Sequence, residues 1–131
     1  MAAGQIVLFG ESLGGAVAAE LASREAPAGL ILHSSFVSIP ELASGLYPWL
    51  PVRQLTRFHY PTGEFVKDVR SPLLVIHSPD DEIVPLEHGR KIFRRAAGPK
   101  RFVEIFGDHN SGFLLSEAVL APAIAAFVAD L

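Results

Sequence analysis

At 131 residues, 50% hydrophobic and 19% charged, the chain is long enough for a single domain with a real core. A net charge of −3 with no basic block gives no footprint for nucleic acid or an anionic membrane. The absence of cysteine excludes disulfides, thiolate metal sites and a cysteine nucleophile.

Met1-Ala2-Ala3-Gly4 lacks a basic stretch followed by a long apolar one, so no signal peptide is expected and a cytoplasmic location is the expectation. The first predicted strand is Gln5–Phe9, leading to a helix over Leu13–Ser23. Ala26-Pro27-Ala28-Gly29 turns the chain into a strand over Leu30–His33. Residues 34–71 read as an irregular, cap-like excursion, within which Pro40-Glu41 opens a helix reaching about Leu46. A strand over Leu73–His77 and a helix over Leu86–Ala97 follow, with Gly98-Pro99 as the stop signal. Next come a strand over Arg101–Phe106 and a last helix from Ser111 or Ser116 to Leu131, which Pro122 should kink or restart. The strands are short and mostly apolar rather than alternating. That predicts an α/β domain: a mostly parallel sheet of about four strands, flanked by helices on both faces. The apolar segment Phe113–Ala129 is interrupted by Glu117 and Pro122, and reads as a buried helix rather than a membrane span.

Between the first strand and the first helix lies Gly10-Glu11-Ser12-Leu13-Gly14-Gly15. Strand, Gly-x-Ser-x-Gly, helix is the layout of a nucleophile elbow, which strains the serine backbone and lifts its hydroxyl above the sheet. Residues two before and two after the serine approach each other, so Gly10 and Gly14 are expected to be small of necessity. The same turn also suits an ordinary connection with Ser12 as N-cap, or a phosphate-binding turn. Two further clusters bear on the choice. His77-Ser78-Pro79-Asp80-Asp81-Glu82-Ile83-Val84-Pro85 begins where one apolar run ends, and Gly107-Asp108-His109-Asn110 follows another. A serine, a group of acids and a histidine thus each sit just past a strand's C-terminal end, the rim where parallel sheets place ligands.

In these motifs and their order the chain resembles the α/β-hydrolase superfamily, and within it the small cap-poor serine esterases and acyl hydrolases. The resemblance implies Ser12 as nucleophile, Asp81 as acid and His109 as base, with Val84-Pro85 and Asn110 also matching. It implies the Leu13 amide as an oxyanion donor, no cofactor, and a small-molecule ester substrate. Asp80 and Glu82 are alternatives for the acid. A metal site of His77, Asp80, Asp81 and His109 is a further alternative, though no metal is expected. His33, His59 and His88 read as surface or satisfied structural residues, and Asp108 as a solvated loop residue.

Two departures stand out. Ser78-Pro79 replaces the glycine usual after the histidine, so the acid loop should be stiffer or differently shaped. The family also places several strands, and the loop bearing a second oxyanion amide, before the elbow. The chain therefore looks like the C-terminal half of that fold and is expected to be slow. The excursion carries Phe36, Leu46, Tyr47, Trp49, Phe58 and Phe65 among four prolines. These residues either pack over the sheet edge or line an acyl pocket, in which case Phe36, Trp49 and Val84 would contact a small or medium apolar acyl group. Finally, Ile6-Val7-Leu8-Phe9 would be an open apolar edge strand, which predicts a homodimer joined there. The functional classes left open are a serine carboxylesterase, a weakly active or inactive relative serving as a binding or assembly module, and a phosphate-holding α/β protein.

Overall fold

The structure, a computed structural model, describes residues 1–131 apart from the side chain of Leu55. A single 3₁₀ turn over Ala3–Gln5 precedes β1 (Val7–Glu11), α1 (Leu13–Glu25) and β2 (Gly29–His33). Three short helices follow: α2 (Ile39–Leu46), α3 (Val52–Leu55) and α4 (Thr62–Phe65). The chain continues through β3 (Leu73–His77), α5 (Leu86–Arg95), β4 (Lys100–Glu104), α6 (Gly112–Leu115) and α7 (Glu117–Ala129). The four strands form one all-parallel sheet in the order β1-β2-β3-β4.

Strand alternation divides the core in two. On one face Leu30, Leu32, Leu73 and Val75 meet Ala18, Ala19 and Ala22 of α1 and Ile92 of α5. The alanines let the α1 backbone lie close to the strands. On the other face Ile31, Leu74 and Ile76 meet Leu120 and Phe127 of α7. Each fully buried aliphatic side chain contributes roughly 1.5–3 kcal/mol. The two central strands are buried along their whole length, so they read as continuous apolar runs, whereas the edge strand β4 is largely exposed.

Register sets the site. Glu11 pairs with His33, His33 with Ile76, and His77 with Glu104. The C-terminal ends of the strands are therefore level, and the residues that follow them gather along one rim.

Several boundaries differ from the sequence expectation. β1 runs to Glu11 rather than stopping at Phe9, because pairing continues until the Ser12 N–H donates to the His33 carbonyl. The excursion over 34–71 holds α2 where a helix was expected, and two further short helices, α3 and α4. α2 is capped by Ser38, whose hydroxyl accepts the Glu41 N–H at 3.2 Å, and α4 packs against α1 and α5. The last helix breaks at Ser116, not at Pro122. The Ser116 hydroxyl accepts the Phe106 N–H and donates to the Phe106 carbonyl, pinning the break to the end of β4. Pro122 lies inside α7. That helix is not buried as expected. Only Leu120 and Phe127 are covered, while Val119 and Val128 join Phe113, Leu114 and Leu115 in an exposed apolar surface. Among the described residues no helix is long and apolar enough to cross a membrane.

β1 is an edge strand, with Ile6 and Phe9 exposed, and beside it Leu13, Val17 and Leu21 form an exposed stripe on α1. In the C-terminal half Arg90 pairs with Glu104, Lys91 with Glu41, Arg94 with Glu87, Arg95 with Glu64 and Arg101 with Asp130, while Lys100 reaches the backbone carbonyls of Arg94 and Ala96.

Candidate active site

Ser12 sits between β1 and α1 at φ 50°, ψ −117°, a region a non-glycine residue enters at a cost of about 1–3 kcal/mol. Its N–H donates to the His33 carbonyl (2.9 Å) and its carbonyl accepts the Gly15 N–H (3.1 Å), which fix the turn from both sides. As the first residue of α1, Leu13 has no intrahelical carbonyl for its N–H, so that amide is available beside the serine. The close approach at the elbow is real, but it is asymmetric. A Cβ on Gly10 would lie 2.6 Å from the Gly14 carbonyl oxygen, whereas a Cβ on Gly14 would meet nothing within 4 Å. The second position that must stay small is Gly15, where a Cβ would lie 2.0 Å from the Ser35 hydroxyl.

Asp81 is held in the loop after β3 with its side chain fully buried. Its Oδ1 accepts the N–H groups of Ile83 (3.0 Å) and Val84 (2.8 Å), and its Oδ2 faces His109 Nδ1 at 2.8 Å. Ionised, Asp81 only accepts, so Nδ1 carries the hydrogen and the unprotonated Nε2 faces the Ser12 hydroxyl at 3.2 Å. Serine, histidine and aspartate thus form one connected line. Neither alternative acid takes this place. Asp80 is exposed, and Glu82 accepts the backbone N–H of His109 at 3.0 Å.

His109 sits on a tight loop. Gly107 lies at φ 94°, where a Cβ would also lie 2.9 Å from Gly112 Cα. Asp108 accepts the N–H groups of Asn110 and Ser111 and the Ser111 hydroxyl, which hold its carboxyl below the usual carboxylate range. Ser78 supplies a contact that sequence reasoning missed. Its hydroxyl donates to the Gly107 carbonyl at 2.7 Å and accepts the Asp80 N–H, tying the Asp81 loop to the His109 loop. Glu82 is a second such tie. The departure from glycine at Ser78 was the signal for the first; nothing in local spacing marked the second.

The other histidines divide. His59 is exposed. His88 is buried, and its Nδ1 accepts the Val37 N–H at 3.1 Å. His33 is neither surface nor satisfied: it is buried at the rim with its Nδ1 lacking any partner, and Glu11 Oε1 lies 3.7 Å away. His77 is completely buried, and its Nε2 lies 2.8 Å from the Val84 carbonyl. Burial pushes all three of these imidazoles below the ordinary histidine value. Phe36 and Val84 are 3% and 1% exposed, so neither side chain is accessible to a ligand here. Trp49 stands 77% exposed, edge-on to Tyr47.

No family model matches the chain. Among curated proteins it is 43% identical over 127 residues to an uncharacterised protein of Mycobacterium tuberculosis, covering 96% of this chain and 45% of that one. It is 39% identical over 93 residues to the α/β hydrolase domain-containing protein aho-3 of Caenorhabditis elegans (70% and 26% covered). It is 30% identical over 108 residues to the human α/β hydrolase domain-containing protein 17B (80% and 35% covered). The chain belongs to the α/β-hydrolase superfamily. Solved structures agree on the fold. A Pyrococcus furiosus esterase matches with a TM-score of 0.76 at 15% identity, over 96% of this chain and 53% of that one. The esterase domain of a Rhodothermus marinus protein matches with a TM-score of 0.65 at 25% identity (89% and 58% covered). The chain spans less than half the length of these curated relatives.

Proposed function

We propose that this chain is a serine hydrolase that cleaves small or medium acyl esters through an acyl-enzyme. The observation that carries the reading is the line Asp81–His109–Ser12, closed at 2.8 and 3.2 Å by three residues from three strand ends. Serine is a weak nucleophile without an adjacent base. In the proposed mechanism His109 Nε2 takes the Ser12 proton as Oγ attacks the ester carbonyl, then returns it to the departing alkoxide. Asp81 holds the ring in the Nδ1–H tautomer and stabilises the imidazolium. The Leu13 N–H faces the developing oxyanion. Water then enters by the same route and releases the acid. Support for an apolar acyl group comes from Phe113, after the base loop, which packs edge-on to Phe9 (6.0 Å) and against His33 (5.4 Å) while all but His33 keep exposed surface.

A second reading is a weakly active or inactive hydrolase relative that acts as a binding or assembly module. It is favoured if, among the described residues, Leu13 alone supplies an oxyanion amide beside Ser12, since loss of one donor costs roughly 10²–10³ in rate. Treatment with a fluorophosphonate separates the two. A single adduct on Ser12 by mass spectrometry, absent in Ser12→Ala, is the expected result; an unmodified serine at high reagent concentration would favour the second reading. Pairing of two copies along the exposed β1 edge belongs to the same proposal. Light scattering is expected to give twice the chain mass, and a monomer mass at every workable concentration would remove it.

A further inference from the structure

His77 ends β3 and is fully buried at the start of the loop that carries Asp81. Its Nε2 lies 2.8 Å from the Val84 carbonyl, an acceptor only, so Nε2 carries the hydrogen and donates it. Nδ1 is then a bare lone pair without a partner. It faces Gly89 of α5, where an added Cβ would lie 2.6 Å away. An aliphatic side chain would fill this space without stranding an acceptor. What the imidazole supplies that such a side chain does not is the N–H to Val84.

That hydrogen bond acts on the site through one peptide. The Val84 carbonyl is held by His77, and the Val84 N–H donates to Asp81 Oδ1 at 2.8 Å. Asp81 Oδ2, 3.7 Å from His77 Nε2, is the oxygen that meets His109. We propose that His77 is a positioning residue: by gripping the Val84 carbonyl it fixes the loop whose amides aim the Asp81 carboxylate at His109. The catalytic consequence rests on the hydrolase reading above; the positioning itself does not. Burial keeps the ring neutral, against the opposing pull of Val84 and Asp81, which suits a fixed donor.

Two readouts test the proposal. The first needs no turnover: the downfield proton resonance of the His109 Nδ1–H···Asp81 hydrogen bond. It should be present in the native chain, move or vanish in His77→Leu, and return in His77→Gln, which keeps an N–H in reach of Val84. The second is the rate of Ser12 modification by a fluorophosphonate. That rate should fall about 10–100-fold in His77→Leu, by analogy with the loss when groups that orient a metal-ligating histidine are removed. It should recover in His77→Gln, and His77→Leu should add nothing in an Asp81→Asn background. Gly89→Ala should reproduce the loss by displacing the ring, although alanine favours a helix. An unchanged His109 resonance in folded His77→Leu would overturn the proposal, as would a glutamine variant no better than leucine or an additive loss with Asp81→Asn. If Ser12 of the native chain takes no label while the resonance responds to His77, the hydrolase reading fails and the positioning role stands.

Discussion

Asp81→Asn is expected to lower turnover of an activated ester by about 10⁴-fold while leaving the chain folded, the scale set by tautomer disruption in serine proteases. The reason lies in the two sides of the carboxylate. Oδ1 accepts from the amides of Ile83 and Val84, and Oδ2 accepts from His109 Nδ1. An asparagine that keeps its oxygen toward the amides turns an NH₂ toward Nδ1. The ring must then carry its hydrogen on Nε2, where it can no longer take the proton of Ser12. Flipping the amide points the NH₂ at two backbone N–H donors and strands all three, at a cost of about 1–3 kcal/mol per unmet group. Steady-state kinetics on p-nitrophenyl acetate, with Ser12→Ala as the floor, measures the effect. A loss of less than tenfold would mean that Asp81 does not set the tautomer of His109.

The second large effect concerns the three elbow glycines, which look alike in sequence and differ in space. Gly10→Ala places a methyl 2.6 Å from the Gly14 carbonyl oxygen and 2.7 Å from Gly15 Cα, both backbone atoms with nowhere to go. Gly15→Ala meets Ser35, at 2.0 Å from its hydroxyl and 2.7 Å from its Cβ. Overpacking of this kind costs about 1–3 kcal/mol or more, so both variants should lose stability by denaturant titration. They should part company on rescue. Ser35→Gly removes both close atoms and leaves only an ordinary contact with Leu32 at 3.6 Å, so it should restore Gly15→Ala and do nothing for Gly10→Ala. Gly14→Ala projects into open space and should be neutral or gain up to about 1 kcal/mol in helix propensity. A Gly14→Ala variant as damaged as Gly10→Ala would contradict this packing.

What could be read in advance follows from where the physical constraint is local. β2 and β3 are buried on both faces, so Leu30–His33 and Leu73–His77 announce themselves as unbroken apolar runs. β1 and β4 are edges with mixed exposure, and there the boundaries slipped: Gly10 looked like the start of a turn but is paired within the strand. Ser12, Asp81 and His109 were legible because each lies just past a strand end, and parallel register alone brings such residues to one rim. The residues that hold the loops together were not. Glu82 reaches the backbone of His109, Ser78 reaches Gly107, and His77 reaches Val84, contacts that depend on loop shapes no periodicity encodes. The excursion shows the same limit from the other side. An apolar residue such as Phe36 has the same signature in a core as in a pocket wall, and burial places it in the core. Ala26 and Tyr60 adopt left-handed φ values without a glycine or asparagine to advertise them.

The Ser12–His109 hydrogen bond joins residues 97 positions apart, whereas the His109–Asp81 bond spans 28. The shorter closure needs only the β3–α5–β4 unit; the longer one also needs β2 and β1 in place. Non-local parallel pairing is slow because chain entropy is lost before contacts repay it. Closure onto Asp81 therefore depends on fewer elements than closure onto Ser12. In the proposed mechanism the Ser12 hydroxyl has its base only once the outermost strand has docked.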